Sequence, residues 1–190
     1  MTKIIILMGC KGSGKSTLGA LLSKDYECPF VDVDNVIQKM YGKSPREIYK
    51  EKGVSGFMMA EENACQKICE LASGKAAVIS TGGGICDNSP ALTKLQGEGT
   101  LVFIKVDPSV TVERIVDGAK KTGSLLSNLP AYVDETEFET EEQVVEYLTK
   151  FYSERSLQYE NIADLTVELK NASIQDNLRD LKKALEEYKN

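Results

Sequence analysis

Near the start of the chain, Gly9-Cys10-Lys11-Gly12-Ser13-Gly14-Lys15-Ser16-Thr17 sets glycines at the first and sixth positions, ahead of a lysine and two hydroxyls. That is the spacing of a phosphate-binding loop. Gly9, Gly12 and Gly14 let the backbone curl until its N–H groups point at phosphate oxygens. The helix that follows offers the positive end of its dipole to the same anion. Ser13 and Thr17 belong to this cradle, Lys15 bridges the β- and γ-phosphates, and Ser16 places its hydroxyl on Mg²⁺. The loop therefore names the donor, ATP with magnesium, and leaves the acceptor open.

Magnesium takes oxygen ligands, and the nearest acids are Asp32 and Asp34. A pair at i, i+2 leaving a strand projects into the crevice where open α/β sheets bind ligands. The competing role is local: Asp34 precedes a short helical segment and is suited to cap it. A second glycine turn, Gly82-Gly83-Gly84 after Ser80-Thr81, implies close backbone approach to a ligand or to a packed element. Beside a phosphate loop it suits a ligand, with backbone N–H groups available to substrate hydroxyls.

The elements that position these residues follow from periodicity. The continuous apolar run Lys3–Met8 reads as a strand covered on both faces, and Pro29–Val33, Ala76–Ser80, Thr100–Val106 and Asp164–Leu169 read as further short strands. Helical patterns separate them: Lys15–Lys24, Gly56–Ala72, a segment opened by Asp107-Pro108, Thr140–Tyr159, and Ser173–Tyr188 with Ile174, Leu178, Leu181 and Leu185 on one stripe. Ser44-Pro45-Arg46-Glu47 and Thr140–Gln143 are helix-start signals. Alternating strands and helices imply a three-layer α/β fold in one domain spanning 1–190. One run departs from the pattern: Pro130–Glu142 holds six carboxylates and no basic residue, the composition of a solvated, mobile excursion where a lid can lie.

Composition excludes several classes. A net charge of −6 without a Lys/Arg block argues against a nucleic-acid partner. The apolar start is too short to span a membrane. Five cysteines without histidine read as buried free thiols in a reducing cytosol.

Taken in order, GCKGSGKST, FVDVD, EIYKEKGVSGFMMAEE, VISTGGG and ERSLQYENIADLTVE resemble the shikimate kinases, small cytoplasmic members of the nucleoside monophosphate kinase-like group. The resemblance implies a five-stranded parallel sheet in a P-loop kinase fold. It further implies a substrate-binding helical region at about 34–73, a lid at about 118–142, and ATP- and Mg²⁺-dependent phosphorylation of the shikimate 3-hydroxyl on the route to chorismate and the aromatic amino acids. Asp32 then helps hold Mg²⁺ through water, and Asp34 binds the substrate hydroxyls and orients or deprotonates the accepting one. Gly82, Gly83 and Gly84 match the substrate-side turn, and Arg155 matches an arginine that reaches the substrate carboxylate, for which a guanidinium fork is the natural receptor.

Two positions depart from the family pattern. The family's GExxFR motif ends in a carboxylate-gripping arginine, where this chain has Met58; Met58 is expected to pack among apolar neighbours on its helix. The lid arginine of an Arg-Pro-Leu-Leu sequence is replaced at Gly123-Ser124-Leu125-Leu126. Lys120 and Lys121 lie just upstream and can approach the ATP phosphates if the lid closes, or stay solvated. Arg46, one of only four arginines, is a candidate to compensate for Met58. The expectation is a monomeric enzyme acting on a small hydroxylated acid. Phosphorylation of a different hydroxylated acceptor, or a nucleotide-binding regulatory role, stays open at this level.

Overall fold

A computed structural model describes residues 4–123, 133, 138–170 and 172–188. Five parallel strands, β1 (Ile4–Met8), β2 (Phe30–Asp32), β3 (Ala77–Ser80), β4 (Gly99–Lys105) and β5 (Leu165–Glu168), form one sheet in the order β2-β3-β1-β4-β5. The register sets Ile4 against Ala77 on one side and Gly99 on the other. β1 is therefore central, which explains its unbroken apolar run. Its side chains alternate between two cores: Ile4, Ile6 and Met8 enter one, Ile5 and Leu7 the other, as the two-residue strand period requires.

The helices are α1 (Lys15–Asp25), α2 (Val33–Tyr41), α3 (Pro45–Ala72), α4 (Ser89–Gln96), α5 (Pro108–Thr122), α6 (Glu141–Ile162) and α7 (Ile174–Tyr188). α1 and α7 cover one face of the sheet through Leu18, Leu22, Leu178, Leu181 and Leu185. α2 to α6 cover the other, completing the three layers expected from sequence. Ile174, assigned to the apolar stripe of α7, is 43% exposed at the first helical position.

Both capping boxes form. Ser44 Oγ accepts from the Glu47 N–H while Glu47 Oε2 accepts from the Ser44 N–H, and Thr140 pairs with Gln143 in the same way. α3 begins earlier than its apolar pattern suggests and runs from Pro45 through a kink at Gly53, where φ is 66°. α4 and a short 3₁₀ turn at Ile85–Asp87 were not separated from the glycine turn by sequence pattern. The lid sequence Ser124-Leu125-Leu126 and most of the acidic run lie outside the described residues; of that run, Val133 is buried and Phe138 packs against the core.

Candidate active site

The donor half is built at the C-terminal end of β1. Gly9, Gly12 and Gly14 have φ of 146°, 78° and 92°, values that side chains rarely adopt, and so the loop needs glycine there. Gly14 caps α1 without any side-chain acceptor, leaving the first N–H groups of the helix directed at the loop's concavity. Ser13 is buried and Thr17 exposed. On the outer side of the loop, Arg114 Nη1 donates to the Gly12 carbonyl at 2.7 Å.

Lys15 is buried. Its ammonium donates to the Cys10 carbonyl at 2.9 Å and lies 3.5 Å from Ser13 Oγ. Burial pushes its pKa down to about 8, against the pull of Cys10, Asp34 and Asp32. A buried cation with so few strong partners is suited to receive an anion.

Asp32 and Asp34 leave β2 differently from the expected strand-end pair. Asp32 is the last strand residue and the N-cap of α2, with Oδ1 accepting from the N–H groups of Asp34 (3.1 Å) and Asn35 (3.3 Å). Asp34 lies within the first turn of α2, so the cap is Asp32, not Asp34. Asp32 keeps a second oxygen for the site: Ser16 Oγ donates to Oδ2 at 2.8 Å and sits 3.2 Å from Ser80 Oγ. One carboxylate and one hydroxyl, both oxygen donors, fit Mg²⁺, which completes its shell with water and phosphate rather than with an all-protein cage.

The acceptor half is a cavity of about 280 Å³ beside the loop. Gly82–Gly84, Asp34, Glu61 and Arg155 form its polar side, and Tyr49, Phe57 and Met58 of α3 form its apolar side. The glycine turn brings the two halves into contact. A Cβ on Gly83 would lie 2.8 Å from the backbone nitrogen of Lys11, and one on Gly82 would lie 2.8 Å from Glu61 Oε1 and 3.3 Å from Asp34 Oδ1. The turn is glycine because the phosphate loop and two carboxyl groups press against it.

Glu61 was not singled out from sequence. It is 1% exposed; Oε2 accepts from Asn88 Nδ2 at 2.9 Å, whereas Oε1 has no hydrogen-bond partner among the described residues. Burial, with the charges of Asp34 and Asp87, pushes its carboxyl up to about 7 against the Asn88 hydrogen bond. Burial first, then Asp32, also raises Asp34, while Lys15 and Lys11 pull it down. A usable signal was present: Glu61 interrupts the inner α3 stripe that continues through Ala64, Cys65 and Ile68, all buried.

Arg155 reaches the cavity from α6. Nη1 donates to the Gly83 carbonyl at 3.2 Å, Nη2 pairs with Asp87 Oδ2, and the guanidinium lies 4.3 Å over the Phe151 ring. Met58 does more than pack: it lines the cavity, and its carbonyl accepts from Asn88 Nδ2 at 2.9 Å. Met59, the next residue on the helix, is exposed. Arg46 and Lys11 also line the cavity, close enough together that Arg46, after burial, holds the Lys11 ammonium below its usual value. Lys120 is directed elsewhere, pairing with Glu141 at 2.7 Å, and Lys121 is exposed.

Comparison with known proteins gives the same assignment. The shikimate kinase family model matches residues 11–186. The shikimate kinase of Chlorobium chlorochromatii (strain CaD3) is 31% identical over 185 residues, covering 97% of this chain and 92% of that protein. That of Aquifex aeolicus (strain VF5) is 39% identical over 117 residues, 62% of this chain and 68% of that one. Among solved structures, the shikimate kinase from Acinetobacter baumannii in complex with shikimate matches with a TM-score of 0.77 and 26% identity, over 100% of this chain and 96% of that one. With a phosphate loop, a glycine turn and a carboxyl-lined cavity joined on one parallel sheet, the chain belongs to the shikimate kinase family.

Proposed function

We propose that this chain transfers the γ-phosphoryl group of ATP to the 3-hydroxyl of shikimate, releasing ADP and shikimate 3-phosphate for the biosynthesis of aromatic amino acids. The observation that carries the reading is the packing of Gly83 on the Lys11 backbone, which sets the donor loop directly against a cavity of small-molecule size.

The reaction depends mainly on positioning and charge neutralisation. Gly9, Gly12, Ser13, Gly14 and Thr17 cradle the donor phosphates, and Lys15 neutralises the charge that shifts from γ-phosphoryl to leaving oxygen. Ser16 and Asp32 would hold Mg²⁺, which would supply further neutralisation of phosphate charge. Asp34 accepts a hydrogen bond from the reacting hydroxyl and takes its proton as the new P–O bond forms. Its raised pKa makes it a better base than an exposed aspartate. The backbone N–H groups of Gly82–Gly84 and the unpartnered Oε1 of Glu61 meet the other ring hydroxyls, and Arg155 receives the carboxylate. The apolar side at Phe57 and Met58 covers the ring. The 34–73 helices form the acceptor side. We also infer that the enzyme acts as a cytoplasmic monomer.

Initial rates of ATP consumption with Mg²⁺ test this against shikimate, quinate and gluconate. Turnover selective for shikimate is expected. Turnover on another acceptor with none on shikimate would refute the assignment.

A further inference from the structure

Arg155 is the cavity's receptor for an acceptor carboxylate in the reading above, yet the chain already supplies it with one. Asp87, in the short turn after Gly84, pairs its Oδ2 with Arg155 Nη2 inside the acceptor cavity, and both residues line that cavity. We propose that Asp87 is a specificity-determining residue: its carboxylate stands where the acceptor's would, so an acidic acceptor binds by exchanging one carboxylate for another. This rests on the assignment of an acidic acceptor to the cavity.

Three features make the exchange possible. The Arg155 side chain is 9% exposed and that of Asp87 is 40% exposed; the aspartate can turn to water while the arginine stays. Arg155 keeps its place without Asp87, because the Gly83 carbonyl and the Phe151 ring hold it independently. The third is Gly84: a Cβ there would lie 3.8 Å and 3.9 Å from the two terminal guanidinium nitrogens, so glycine spares the guanidinium a van der Waals neighbour.

The exchange has an energetic consequence. A guanidinium freed from water gains from meeting a carboxylate, but one already paired gains only the difference between two partners. The displaced Asp87 charge also stays near the incoming one and opposes it. Acidic acceptors are therefore held more weakly than the cavity's cations alone would allow, and neutral acceptors lose nothing. Charge at Asp87, rather than cavity shape, sets that difference.

Calorimetric binding of shikimate, and of its neutral methyl ester, to the parent, Asp87→Asn and Asp87→Ser proteins tests the proposal, with circular dichroism to confirm folding. In both variants the Kd for shikimate should fall roughly three- to tenfold, with the Kd for the methyl ester and the KM for ATP unmoved. An unchanged or raised Kd for shikimate in both variants would overturn the proposal, and so would an equal fall for the acid and the ester. The parent protein separates the two levels: shikimate turnover there with no change in the variants removes the exchange alone. Absence of both binding and turnover in the parent removes the acceptor assignment and the exchange together.

Discussion

At the scale of single residues, the site holds buried ionisable groups, some partnered within the chain, as Arg155 is by Asp87, and some poorly partnered, as Lys15 is. Lys15 has a carbonyl at 2.9 Å and a long contact to a hydroxyl, too little for a buried ammonium until phosphate arrives. Lys15→Ala should lower kcat/KM for phosphoryl transfer by about 100-fold or more, the usual scale for removing a transition-state charge partner; steady-state kinetics check it. Glu61 makes a different prediction. It titrates near 4.5 in the unfolded chain and at about 7 in the fold, so the fold binds its proton more tightly. The stability this contributes is fully present below the unfolded value and is lost as pH rises through the folded one. Glu61→Gln keeps the Asn88 hydrogen bond and removes the titration. Its melting temperature should gain on that of the parent between about pH 5 and about pH 8, as read by thermal denaturation at each pH. A gap that stays constant with pH would contradict the assignment.

At the scale of elements, the strands and the phosphate loop were legible because their signals are local. Apolar runs of β1 and β4 and glycine spacing need no tertiary context, and the Ser44 and Thr140 capping boxes are written in four residues each. What sequence pattern missed depended on contacts between distant segments. Asp34 moved from strand end to helix because Asp32 takes the cap. Met58 looked like packing because nothing local reveals that α3 turns that side to a cavity. Asp87 was overlooked because a carboxylate in a charged chain carries no sign of its partner, whereas Glu61 left one signal, an acid interrupting the buried α3 stripe. Two elements yield further predictions. Ser44→Ala removes the α3 cap and should cost about 1 kcal/mol, a drop of roughly 2–4 °C in Tm for a chain of this size. Gly83→Ala puts a methyl 2.8 Å from the Lys11 nitrogen. The loop must shift, and kcat should fall about tenfold or more, with the KM for ATP raised; a near-parental kcat would show that the two halves are not coupled there.

At the scale of the whole molecule, one continuous sheet carries both halves of the reaction. The loop leaves β1, Asp32 ends β2, and the glycine turn leaves β3, and all three lie side by side in the order β2-β3-β1. The acceptor cavity opens where these C-terminal ends meet α3 and α6, as ligands do in open α/β sheets. The reaction should then depend on the chain as one unit: Mg²⁺ with ATP should stabilise it by about 2.7 kcal/mol at a concentration 100 times Kd, visible as a rise in Tm that Lys15→Ala loses. The most direct measurement is the product itself. Incubated with Mg²⁺, ATP and shikimate, the protein should give one new phosphate ester, located by ³¹P and ¹H NMR on the 3-oxygen of shikimate, and the Lys15→Ala protein should give none. ATP hydrolysis without an ester, or an ester formed equally well by the variant, would contradict the proposed reaction.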